Sequence, residues 1–502
     1  MKKQFLLMGL LASSFAMAQK SAPVEKFASV ISPKELKAKL SVLAAADMEG
    51  RETAMPGQKK AASYIEAFFK KIGLQPGAGE GKYQMPYPVF QDSLSKSEVS
   101  LDNRALTFGT DYALNISSLA NGNWTVDNIV YAGYGWQDST HNSYDNLDVK
   151  GKWIVVLEGL PKDIKAHPYE IYKSTFNKIN IAKKLGVAGI IVVMNHLQNH
   201  SAKGLKGNMY IKENKGVATP LLQISDALAN KILQTSGKSI EELSVVKTGD
   251  YATNLHVELE KITNHLESSN VIGVLPGTDK KGEYVFVTGH YDHLGKRDSV
   301  IYFGADDDGS GTTSVMQLAQ AFVNAKKKGF GPRRSMIFMT VSGEEKGLFG
   351  SEYYSEHPTI NLDSASVDLN IDMDGRIDTE RKTPDSTNYI YVIGHDKLSS
   401  DLQKINEAEN NKYTHLVLDY KFDDPKDPNR IYYRSDHYNF AKKGIPILFF
   451  YDGMLKADYH QPSDTVDKID FELMSKRAQM VFYTAWDIAN RDAMLVRDIP
   501  LN

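Results

Sequence analysis

The chain contains no cysteine, and that absence bounds its chemistry before any motif is read. Disulfides, thiolate nucleophiles and thiolate metal ligands are all excluded, so any bound metal must be held by imidazole and carboxylate. Neither sign of charge dominates. Lys and Arg number 59, Asp and Glu 62, and the formal net charge of −3 gives no general pull toward nucleic acid or an anionic membrane. The short run Lys326-Lys327-Lys328 reads as the solvated end of a helix. There is no internal repeat and no low-complexity tract. Two hydrolase signatures are missing: no G-x-S-x-G elbow and no H-E-x-x-H helix occurs. Long apolar runs are also scarce. Residues 5–16 form an apolar stretch, short beside the roughly 20 residues a spanning helix needs. Lys2 and Lys3 precede it and Ala16-Met17-Ala18 ends it. The pattern reads as an export signal over residues 1–18, with Gln19 opening the mature chain in the periplasm or outside the cell.

What is present is an ordinary globular composition, 42% hydrophobic and 24% charged over 502 residues, enough for two or three domains. A helix is expected over residues 33–46, followed by the loop Asp47-Met48-Glu49-Gly50-Arg51-Glu52. Ala61, Tyr64, Ile65, Phe68, Phe69 and Ile72 then fall on one helical face, and Gly73 stops it. The middle of the chain changes texture. Strands are expected over 128–131, 153–157 and 189–193, with a helix over 179–185, and clustered His and acidic residues are few. This stretch reads as a separate non-catalytic domain inserted into the main one. In the second half, apolar strands over 284–288, 336–341, 367–371 and 445–450 alternate with helices such as 312–327. That alternation predicts an α/β fold, a mostly parallel central sheet covered by helices on both faces. The expected division is 19–105 and 259–502 for the main domain and 106–258 for the insert.

The chemistry lies just beyond those strands. The first ends in Gly289-His290-Tyr291-Asp292-His293, and its following loop is Gly304-Ala305-Asp306-Asp307-Asp308-Gly309-Ser310-Gly311. The second runs into Ser342-Gly343-Glu344-Glu345, the third into Asp372-Met373-Asp374, and the last leads to Asp458-Tyr459-His460-Gln461. Open α/β sheets bind ligands at the carboxyl ends of their strands. Taken singly, each motif has a plain reading: a satisfied histidine, a helix N-terminus rich in Asp, a polar helix start. The Asp306–Asp308 run lacks the spacing of an EF-hand, and the Gly309-Ser310-Gly311 turn lacks the lysine of a phosphate loop. Apolar strands that each deliver an acid or imidazole at one edge are poorly explained by core packing. They suit two divalent metals about 3.5–4 Å apart that share a carboxylate, with one of two adjacent glutamates free to act as a base.

In that ordered series the chain resembles the di-zinc metallopeptidases that include the bacterial leucyl aminopeptidases and glutamate carboxypeptidase II. The resemblance extends over most of the sequence after residue 18. It implies His290, Asp307, Glu345, Asp372 and His460 as ligands of two zinc ions, with Asp307 bridging, His290 and Asp372 on one metal, and Glu345 and His460 on the other. It implies Glu344 as general base, Asp292 as the carboxylate that orients His290, and Tyr459 as a group that helps hold the oxyanion, although simple packing also accounts for a tyrosine there. His293 and His437 read as partners of the ligands or as structural residues. Arg434-Ser435-Asp436-His437 and Gly444-Ile445-Pro446 also resemble the family. Tyr131-Ala132-Gly133-Tyr134-Gly135, Asp148-Val149-Lys150-Gly151-Lys152 and Gly186-Val187-Ala188-Gly189 resemble a protease-associated domain. Gly50-Arg51-Glu52 resembles the start of the family's catalytic domain. The implied fold is that of the zinc peptidases (phosphorylase/hydrolase-like), and the implied activity is an aminopeptidase acting on peptides. Arg376 and Arg434 keep a carboxypeptidase or dipeptidase open. A glutaminyl cyclase, with one zinc, and a non-catalytic receptor module are disfavoured by the full set of ligands.

Overall fold

The computed structural model describes residues 22–164, 168–197, 205–213, 219–384 and 387–501. The expected export signal and the start at Gln19 lie outside the described residues. The chain divides into two compact units, residues 1–85 with 269–502, and residues 86–268.

The first unit is built on β2 (Lys280–His290), β3 (Arg334–Val341), β4 (Ala365–Ile371), β5 (Tyr389–Ile393), β6 (Val417–Asp419) and β7 (Ile447–Tyr451), together with residues 269–275 of β1 (Gly249–Leu275). Their spatial order is β6-β5-β7-β4-β2-β3-β1. The central four, β7-β4-β2-β3, are mutually parallel. Residues Val271–Leu275 of β1 run antiparallel to β3, and β5 runs antiparallel to β7. The sheet is therefore mixed and mostly parallel. Every residue of β3, β4 and β7 is buried, as expected for strands covered on both faces.

Strand alternation sorts these side chains into two layers. Val285, Val287, Phe338, Leu369 and Phe450 join Ile65, Phe69, Leu318, Phe322 and Val481 on one face. Those partners lie on helices Pro56–Ile72, Gly311–Lys327 and Phe471–Asn490. Phe286, Ile337, Met339 and Phe449 join Tyr354 and Phe440 on the other. Register then levels the strand ends. His290 pairs with Val341, Thr288 with Asn370 and Ile371 with Phe450, so the motifs following β2, β3, β4 and β7 emerge at one edge.

The second unit carries its own parallel run, Gly122–Tyr131, Trp153–Leu157, Gly189–Met194 and Leu221–Ser225, with helices Pro168–Lys184 and Asp226–Ile232. The expected insert over 106–258 falls within this unit, whose limits lie at 86 and 268. Its core also alternates: Ile129, Trp153, Val155, Ile191 and Leu222 on one side, Val130, Ile154, Val156 and Val192 on the other. Gly189 is required there, because a Cβ would lie 2.3 Å from the Trp153 ring.

Candidate metal centre

His290 closes β2, and its ring is fixed from behind. Nδ1 lies 3.1 Å from the backbone carbonyl of Asp292, which places the proton there and leaves the Nε2 lone pair free. Nε2 then faces Asp307 Oδ1 at 3.3 Å and Asp372 Oδ1 at 3.5 Å. The Asp292 carboxylate, expected to orient the ring, lies beside that carbonyl, 3.7 Å from Nδ1. Its oxygens are engaged elsewhere, by the Thr53 hydroxyl at 2.5 Å and the Glu344 backbone N–H at 3.3 Å.

The three consecutive aspartates have separate tasks. Asp308 accepts the backbone N–H groups of His290, Gly311 and Met373, tying its loop to the ends of β2 and β4. Asp306 accepts the Gly375 N–H. Only Asp307 turns into the site, and its backbone N–H and that of Asp306 are held by the Asp464 carboxylate. Asp307 divides its oxygens: Oδ1 faces His290, and Oδ2 lies 3.1 Å from His460 Nε2. His460 Nε2 is also 3.1 Å from Glu345 Oε2, and His293 Nδ1 is 2.7 Å from Glu345 Oε1. Asp372 offers Oδ1 to the site while Oδ2 accepts the Ser435 hydroxyl at 2.6 Å. Glu344 Oε2 lies 3.9 Å from His290 Nε2.

These donors fit a pair of zinc ions. His290 Nε2, Asp307 Oδ2, Glu345 Oε1 and both His293 ring nitrogens are buried without a hydrogen-bond partner, an arrangement that is costly unless a cation lies among them. Tetrahedral zinc with ligands at 2.0–2.1 Å sets neighbouring ligand atoms about 3.3 Å apart. The four ligand separations, 3.3 and 3.5 Å about His290 and 3.1 and 3.1 Å about His460, bracket that edge. Electrostatics point the same way. Burial alone would raise Asp307, but His290 and His460 overcome it and hold the carboxylate well below its usual range. Burial opposes charge on His460, yet Asp307 and Glu345 outweigh it and push the imidazole up to about 10. Burial raises Glu344 well above the ordinary carboxylate range, the setting of a base rather than a permanent anion.

A small cleft opens beside these groups. Asp307, Glu344 and Asp372 line one side, and Met373, Ile431, Phe449, Tyr451 and Leu455 form an apolar wall. Tyr459 stacks on His460, with ring centroids 3.9 Å apart, and its hydroxyl accepts Arg434 Nη2 at 3.1 Å. Burial pushes the phenol up, so it remains a donor. Arg376 is committed to Asp458 at 3.0 Å. His437 does not join the cluster. It is buried against the Tyr432 carbonyl and stacked on Phe449. His293 does join it, a closer role than its motif suggested. The signal was available in G-H-Y-D-H, where the second imidazole follows the first by three residues as the chain turns off its strand. Ser435 was legible only as a motif letter, and Asp464 was not singled out.

Residues 270–485 match the sequence model of peptidase family M28. The chain is 27% identical over 237 residues to a probable leucine aminopeptidase of Arthroderma otae, covering 46% of this chain and 60% of that protein. It is 26% identical over 246 residues to aminopeptidase YwaD of Bacillus subtilis, covering 47% of this chain and 48% of that one. The aligned region thus spans about 60% or less of these curated relatives. Among solved structures, an aminopeptidase from Aneurinibacillus sp. strain AM-1 superposes with a TM-score of 0.58 at 19% identity, over 95% of this chain and 98% of that one. A zinc aminopeptidase from Bacillus subtilis superposes with a TM-score of 0.52 at 19% identity, over 94% and 99%. At that identity the superpositions establish a shared fold. What this chain shares with peptidase family M28 in sequence is therefore the segment 270–485, which holds every one of the expected metal ligands.

Proposed function

We propose that this chain is a zinc-dependent aminopeptidase that removes N-terminal residues with apolar side chains from exported or extracellular peptides. One observation carries the reading: the single carboxylate of Asp307 faces two different donor sets, one through each oxygen. His290 and Asp372 would hold one zinc, Glu345 and His460 the other, and Asp307 both, with His293 beside Glu345. Zinc bound at such a pair lowers the pKa of water and polarises a carbonyl.

The chain's own residues do the rest. Glu344, half-buried and raised, accepts the attacking water's proton and returns it to the leaving amine. Tyr459 presents a protonated phenol where oxyanion charge develops. The apolar wall from Met373 to Leu455 receives the first side chain. The carboxylates beside it favour a free α-ammonium group. The runner-up, recognition of a substrate carboxylate, has only Arg434 to offer at the cleft, since Arg376 is already paired. We also read residues 106–258 as a protease-associated module, and the leader as an export signal cleaved before Gln19.

The test is a substrate panel. Leucine p-nitroanilide should be cleaved and its N-acetyl derivative should not. Turnover of the blocked compound, or preference for a free C-terminus over a free N-terminus, contradicts the assignment.

A further inference from the structure

The loop Gly50-Arg51-Glu52-Thr53 lies far from the metal-binding motifs in sequence, yet it reaches three of the segments that carry them. Arg51 is fully buried. It donates Nε to the Tyr291 carbonyl at 2.6 Å, Nη1 to Phe303 at 2.8 Å and Nη2 to Gly304 at 2.7 Å, between the His290 and Asp307 segments. Its own carbonyl accepts the His293 N–H. Glu52 accepts Lys346 Nζ at 2.9 Å, directly after Glu345. Thr53, also fully buried, donates its hydroxyl to Asp292 Oδ2. The other oxygen of that carboxylate accepts the Glu344 N–H. The loop comes this close because Gly50, at φ +65°, has no Cβ; one would lie 2.3 Å from the Gly295 carbonyl.

We propose that Thr53 is a positioning residue for Glu344, acting through Asp292. The inference rests on Glu344 as the base. The Asp292 carboxylate is a two-ended bracket: Thr53 holds one oxygen, and the other holds the backbone of Glu344. Loss of the Thr53 hydroxyl leaves a buried carboxylate oxygen without its donor. With Oδ2 released the carboxylate is free to rotate, and rotation takes Oδ1 away from the Glu344 N–H. The ligands do not depend on this bracket, because His290 is fixed by the Asp292 carbonyl and Asp307 by Asp464.

Thr53→Val keeps the shape and removes the donor. The expected result is a kcat lower by about ten- to a hundredfold, from a displaced base, with KM within about twofold. Zinc affinity, read by chelator competition, should be unchanged. Amide exchange over residues 343–347 should quicken by about tenfold, and Thr53→Ser should restore all three readouts. Unchanged kcat and exchange overturn the proposal. So does a parallel loss of zinc, melting temperature and KM, which marks a merely structural role. If the wild type cleaves no anilide, the aminopeptidase reading fails, and the exchange readout still decides whether Thr53 holds the Glu344 segment.

Discussion

Glu344 and Glu345 are adjacent in sequence, yet burial and partners give them different work. Glu345 is held between His293 and His460, whereas Glu344 lies 3.9 Å from His290 Nε2 and is raised by burial. Glu344→Gln should therefore keep zinc and the fold but lose about 10²–10⁴ in kcat, the usual worth of a positioned base; metal content and turnover of the same preparation check it. His437 supplies a test of a different kind. Burial pushes its pKa down from 6.5 to about 4. Between those values the unfolded chain binds more protons than the folded one, so its contribution is present above pH 6.5 and is lost as pH falls toward 4. At pH 5 the loss is about 2 kcal/mol. Asp368, raised to about 7 by burial, runs the other way. The comparison must therefore be between proteins: His437→Gln should lose less stability than the wild type between pH 7 and pH 5 in chemical denaturation. Equal losses would show that His437 is not held neutral.

At the scale of the element, the parallel strands were legible because they are continuous apolar runs, and the ligands were legible because each follows such a run. Three other features were not. β5 is as apolar as its neighbours, but it follows the polar stretch Asp374–Asn388, and the Gly394-His395-Asp396 at its end was not singled out with the other strand ends. The Gly249–Leu275 strand hides behind a polar alternation, because much of it is exposed on one side. The third is the second contact of Asp292, whose carbonyl also lies 3.1 Å from His290 Nδ1; spacing alone does not show a backbone contact of that kind. The Gly309-Ser310-Gly311 turn was recognised, and the structure now explains its second glycine. Gly311 opens its helix against β4, where a Cβ would lie 2.3 Å from the Ile371 carbonyl and 2.4 Å from Asp308 Oδ1. Alanine is otherwise the better helix former by about 1 kcal/mol. Gly311→Ala should nevertheless destabilise by about 1–3 kcal/mol through overpacking. It should also weaken zinc binding, because Asp308 must move and Asp308 ties the His290 and Asp372 segments together; calorimetry and chelator competition read both effects.

Across the molecule, four strand ends and one distant loop converge on a single site whose donors suit two metals, and we propose that this site opens peptide bonds. The measurement closest to that claim is a zinc titration of chelator-stripped protein. Bound zinc per chain is followed by mass spectrometry while leucine p-nitroanilide hydrolysis is read in the same samples. The prediction is saturation at two zinc ions per chain, recovery of turnover with that binding, and failure of Asp307→Asn to saturate at two, since the bridging carboxylate serves both positions. Turnover that survives the chelator, or an Asp307→Asn variant that still binds two zinc ions with wild-type affinity, would contradict it.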